Sequence, residues 1–127
     1  MDSVATPPAI IVIDEAQTRV EEAPPHGAIG RSTAWRISDA VPAPRSMEFR
    51  KRMLHKDAAI GLHRIDHDEV YYVLEGEGEV SADGKTAQLR AGMTAWLHAG
   101  AEVGIRQIGG APLTLIISYP LAPPKRD

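Results

Sequence analysis

The chain has 127 residues, 24% of them charged, and a net charge of −3. A chain of this size buries roughly two-thirds of its unfolded surface, enough for one core and not two. The near-neutral balance argues against a nucleic-acid partner, and the lack of cysteine excludes disulfide and thiolate chemistry and fits a reducing cytoplasm. No stretch approaches the roughly 18 apolar residues of a membrane helix. The apolar run at residues 9–13 is too short for a signal peptide, and no basic residue precedes it.

Residues 1–8 are small, polar and Pro-containing and read as a tail. Residues 9–13 are β-branched and read as a short strand. A single helical turn fits residues 15–20, Pro24-Pro25 ends that segment, and residues 27–30 turn. Residues 32–37 read as a second strand, interrupted afterwards by Pro42 and Pro44. The first 45 residues therefore form an arm of short strands, suited to extending a sheet of this chain or of a partner.

From Ser46 to His55 the chain alternates. Met47, Phe49, Lys51, Met53 and His55 share one face; Glu48, Arg50, Arg52 and Leu54 share the other. Period-two alternation predicts a half-buried strand, with the odd-numbered, more apolar face inward. Residues 57–61 read as a connection. Residues 70–74 are apolar on both faces, which requires cover on both sides. Residues 79–82 and 85–89 read as a hairpin across Asp83-Gly84. Strands follow at 93–97, 103–108 and 113–119, and residues 120–127 are a Pro-rich tail. Eight to ten short strands with frequent turn signals define an all-β sandwich or barrel. Periodicity alone leaves a jelly roll, an immunoglobulin-like sandwich and another barrel open.

Chemistry concentrates between Gly61 and Gly78. His63, Asp66, His67, Asp68 and Glu69 can bind a metal or move a proton, and they precede the strand Val70-Tyr71-Tyr72-Val73-Leu74 and the turn Glu75-Gly76. This stretch resembles the first motif of the cupins. Six residues separate Glu69 from Gly76, as in that motif. The first motif histidine falls on His63 and the second on Ile65. In the second motif the turn glycines are present as Gly92 and Gly100. His98 holds the proline position, Val103 the histidine position and Gln107 the asparagine position.

The resemblance, over residues 46–119, implies a double-stranded β-helix: a cupin barrel at 46–120 between the arm at 1–45 and a C-terminal tail at 121–127. It implies a small polar metabolite as ligand and, commonly, a homodimer. Of the usual metal ligands only His63 and Glu69 match; His67 and His98 are the residues that could complete a non-standard set for Fe, Mn, Ni or Zn. Two classes of function follow. One is an enzyme of isomerase, lyase or dioxygenase type, with Glu69 as ligand or base, His63 as ligand or acid–base group and Tyr71 as an orienting hydroxyl. The other is a metal-free binding or structural dimer without chemistry. His26, in a Pro/Gly loop, reads as plain surface; Trp96, which shares a face with His98, is a candidate to line the cavity.

Overall fold

The structure is a computed structural model and describes residues 7–27, 29–42 and 44–121. Most of the expected tails, at residues 1–6 and 122–127, lie outside the described residues. The described residues form ten strands: β1 (Arg19–Glu22), β2 (Ser32–Trp35), β3 (Met47–Leu54), β4 (Ala59–Arg64), β5 (Glu69–Glu75), β6 (Glu77–Ala82), β7 (Lys85–Arg90), β8 (Thr94–Leu97), β9 (Glu102–Ile108) and β10 (Leu113–Pro120). Short 3₁₀ turns at Glu15–Gln17 and Ile37–Ala40 are the helical elements among the described residues. No helix there is long and apolar enough to cross a membrane.

The strands make two antiparallel sheets, ordered β1-β2-β3-β10-β5-β8 and β4-β9-β6-β7. They face each other as a jelly-roll barrel. Leu54, Val73, Val103, Leu113 and Leu115 are fully buried between them, with Tyr71 and Ile105 close behind. The motif glycines Gly76, Gly92 and Gly100 all adopt positive φ, between 82° and 94°, where a side chain would be strained. The arm extends this chain's own sheet: β1 pairs with β2, and β2 pairs with β3.

Three expectations are corrected. Residues 9–13 form no strand; Ile10 and Val12 are 78% and 90% exposed, since β propensity without a neighbouring edge does not order a segment. Much of residues 57–61, read as a connection, enters β4. The third correction matters most. On β3 the even-numbered face turns inward: Glu48, Arg52 and Leu54 are buried, whereas Met47 and Phe49 are exposed. Lys51 lies on the outer face, 4.4 Å above the Trp35 ring and 2.6 Å from the Glu15 carboxylate. His55 bonds the outer-face Thr33 hydroxyl at 3.0 Å.

Candidate functional site

Two inward charges of β3, Arg50 and Arg52, belong to a cavity of about 490 Å³, walled by both sheets and by the arm. His63, Asp66, His67, Glu69 and Tyr71 line it together with Glu22, His26, Arg36, Arg50, Arg52, Arg64 and Tyr119. His63 reaches it through an irregularity. The pairing of β4 with β9 runs in register at Ile60↔Ile105 and resumes at His63↔Val103, so a bulge at Gly61-Leu62 breaks the alternation. Without it, odd position 63 would face away from buried Ile60.

The bulge glycine also seats the arm. A Cβ on Gly61 would lie 1.8 Å from the His26 carbonyl oxygen, and the Gly61 amide donates to the Pro25 carbonyl at 3.3 Å. The arm loop therefore lies flat on β4 and stacks the His26 ring on His63, with centroids 3.6 Å apart. His26 holds φ +66°, a left-handed conformation uncommon outside glycine. Burial, and then the charges of His63 and Arg52, lower the His26 pKa, so this imidazole stays neutral near pH 7. On His63, Nδ1 lies 2.9 Å from the Gly61 carbonyl oxygen. A carbonyl only accepts, so Nδ1 carries the proton and Nε2 of the neutral ring keeps its lone pair.

Three carboxylates on the inner face differ in their surroundings. For Glu22, burial pushes the pKa up, but Arg52 and Arg36 outweigh it and the pKa falls below the ordinary value. Arg52 Nη2 donates to Glu22 at 3.0 Å and Arg36 donates to its other oxygen. Glu48 follows the same pattern, with bonds from Arg45 at 2.7 Å and Arg50 at 3.0 Å. Glu69 is buried at 6% exposure and has no arginine partner among the described residues. Burial raises its pKa, and the charges of His63 and His67 and the Tyr71 hydroxyl offset this only in part. Tyr71 is itself raised, first by burial and then by the Glu69 charge, so it remains a neutral hydroxyl.

His67 stacks on Tyr119, with centroids 4.4 Å apart and the planes 1° from parallel, and its Nδ1 lies 3.3 Å from the Asp68 carbonyl oxygen. His98 does not line the cavity. Its side chain is 83% exposed, with Nδ1 3.7 Å from the Asp68 carboxylate. Asp68 instead ties the outer edge together, accepting from Trp96 Nε1 and the Ala99 amide, both at 3.0 Å. Trp96 is 63% exposed and faces out, not into the cavity. Gln107 bonds the Asp57 amide and the carbonyls of Ile108, Gly109 and Ala111, leaving it no spare group for a ligand.

The donor set does not suit a resident transition metal. Such a site needs three or four converging ligands. The two missing motif ligands are replaced by Ile65 and Val103, at 3% and 0% exposure, and His98 points away. Among the described residues no group of three or more His, Cys, Asp or Glu side chains is arranged to hold a metal ion. The expected set of His63, His67, Glu69 and His98 is thus not assembled.

Reading residues in order missed Glu22, His26, Arg36, Arg50 and Arg52. One signal was available. Glu48, Arg50 and Arg52 put both signs of charge on one strand face, and a face able to pair its own charges can be buried. For Glu22, His26 and Arg36 no local signal exists, because they reach the cavity only by arm docking.

The cupin-domain family model matches residues 51–119, more than half of the chain. No curated protein matches. Among solved structures, a predicted oxalate decarboxylase from Thermotoga maritima aligns at 22% identity, covering 88% of this chain and 100% of that one, with a TM-score of 0.77. The polyketide cyclase RemF from Streptomyces resistomycificus aligns at 16% identity over 87% of this chain and 79% of that one, with a TM-score of 0.71. An RmlC-like cupin from Shewanella frigidimarina aligns at 23% identity over 72% and 77%, with a TM-score of 0.61. At these identities the structures share the fold, and the family match carries the assignment. With the barrel, the motif glycines and the matched segment in agreement, the chain belongs to the cupin family.

Proposed function

We propose that the barrel binds a small polar metabolite directly on protein groups and that Glu69 is its proton-handling group. One observation carries this reading: among the inner-face carboxylates, Glu69 alone is buried without a guanidinium. Carboxylates whose surroundings push their pKa values apart take different roles; the arginine-bound pair stay ionised, and the isolated one gains and loses a proton nearer neutrality. His63 Nε2 supplies a second polar group on the same wall, and Tyr71 a neutral donor. The reaction class fitting these groups is proton transfer on a bound metabolite, as in an isomerase or lyase.

The test is a thermal-shift and calorimetric screen of small acids, sugars and polyols, with metal content measured in parallel. A ligand that binds wild type and is turned over, with turnover lost in Glu69→Gln and binding kept, supports the reading. Binding with no change in any bound compound supports the alternative of a binding module. Stoichiometric Fe, Mn, Ni or Zn that disappears in Glu69→Gln overturns the metal-free reading.

A homodimer is the second part of the proposal. The outer face of the larger sheet exposes Met47, Phe49, Tyr72, Leu74 and Trp96 at 38–63%. Phe49, Ser118, Val70 and Trp96 lie in one register row across four strands, so three apolar side chains line up on this face with Ser118 between the first two. A flat apolar sheet face suits an isologous contact with a second copy. Light scattering should give twice the chain mass for wild type and the monomer mass for Phe49→Glu; a monomeric wild type at micromolar concentration sinks this part.

A further inference from the structure

The arm-side wall of the cavity has more positive charge than its carboxylates use. Arg52 is 6% exposed and lines the cavity. A guanidinium has five N–H donors; that of Arg52 makes two hydrogen bonds, to Ser32 Oγ at 2.8 Å and to Glu22 at 3.0 Å. Arg36 lines the same cavity and makes one, to the same Glu22. Buried Arg52 and the more exposed Arg36 thus share one anion, and among the described residues the two guanidinium groups make three side-chain hydrogen bonds between them. Burying a guanidinium is costly unless its charge and donors are met.

From this the geometry points to a carboxylate-binding subsite on Arg52 and Arg36, with Glu22 as the resident anion that an incoming carboxylate competes with. The ligand class is a small organic carboxylate whose charged end lies on the arm and whose remainder extends toward Glu69. Planar forks recognise a carboxylate by paired N–H bonds, which a sugar or polyol does not reproduce. Glu22 and Arg36 lie outside the segment matched by the family model and Arg52 lies inside it, so the subsite is built jointly by the arm and the barrel. The inference deepens the proposed function and rests on the same cavity being the binding site.

Calorimetry with acetate, lactate, malonate and benzoate, each against its amide, tests it on the full chain. At least one acid is expected to bind and its amide to bind about tenfold more weakly or not at all. Arg36→Gln is exposed enough to fold and should weaken the acid about tenfold. Glu22→Gln removes the competing carboxylate and should tighten it, whereas a purely structural Glu22 would leave affinity unchanged or lower. Equal binding of acid and amide, or unchanged affinity in Arg36→Gln, overturns the inference. Binding confined to sugars or polyols overturns it but leaves the proposed function standing; no ligand of any class removes both.

Discussion

The two faces of β3 reverse the usual rule. Its inner face carries Glu48, Arg50 and Arg52; its outer face carries Met47, Phe49 and Met53. One step along the sheet, on β10, the inner face returns to Leu113, Leu115 and Ile117, the ordinary arrangement. The difference teaches where the core ends. Leu115 sits beside Arg52 in the ladder, so packed hydrocarbon gives way to a charged cavity within one strand spacing. The charges persist there because they are paired and hydrogen-bonded; among the described residues no fully buried side-chain nitrogen or oxygen is without a partner.

Breaking the charged face should have the largest effect. Arg52→Met leaves Glu22 with Arg36 alone and Ser32 without its donor, and is expected to cost up to about 3 kcal/mol, as lost hydrogen bonds to a buried charged group do. Urea denaturation measures it, and the double variant with Glu22→Gln should recover much of the loss. A cost below about 1 kcal/mol would mean that the inner charges are solvated and the contrast between faces is weak.

Next comes the arm's seat. Gly61→Ala places a Cβ against the His26 carbonyl and should cost about 1–3 kcal/mol. Faster proteolysis near Pro25 and a changed His26 imidazole NMR signal would accompany it. Wild-type behaviour in both would show that the arm does not close the cavity.

A smaller effect of opposite sign is expected at Glu69. Its pKa is raised in the folded chain, so folding favours the protonated form. Its contribution is best below the unfolded pKa and is lost as pH rises through the folded one. Glu69→Gln should therefore raise the Tm at pH 7 by roughly a few degrees, with the gain shrinking as pH falls to 4. A gain equal at both pH values would assign the effect to something other than ionisation. The smallest effect belongs to His98→Ala, which should leave stability and ligand binding within about 0.5 kcal/mol, since the ring is solvated.

Alternation and turn glycines made an all-β fold legible, because strand period and positive φ are local properties of the backbone, and the resemblance carried by the spacing from Glu69 to Gly76 pointed to the barrel. Glu69 and Tyr71, two positions apart, share one face of β5, and that face lines the cavity. Orientation on β3 was not legible. Alternation separates two faces without saying which one looks inward, and counting apolar residues chose wrongly because this interior holds paired ions. The bulge that turns His63 inward, and the arm contacts bringing His26, Glu22 and Arg36 to the cavity, also escaped the sequence. They depend on residues many positions apart meeting in space: Gly61 receives the His26 carbonyl, and Arg52 meets Glu22 across thirty positions. The sequence by itself determined the barrel and one carboxylate inside it. Only the tertiary structure decided what surrounds that carboxylate, because its pKa and its partners are set by packing between segments that share no local pattern.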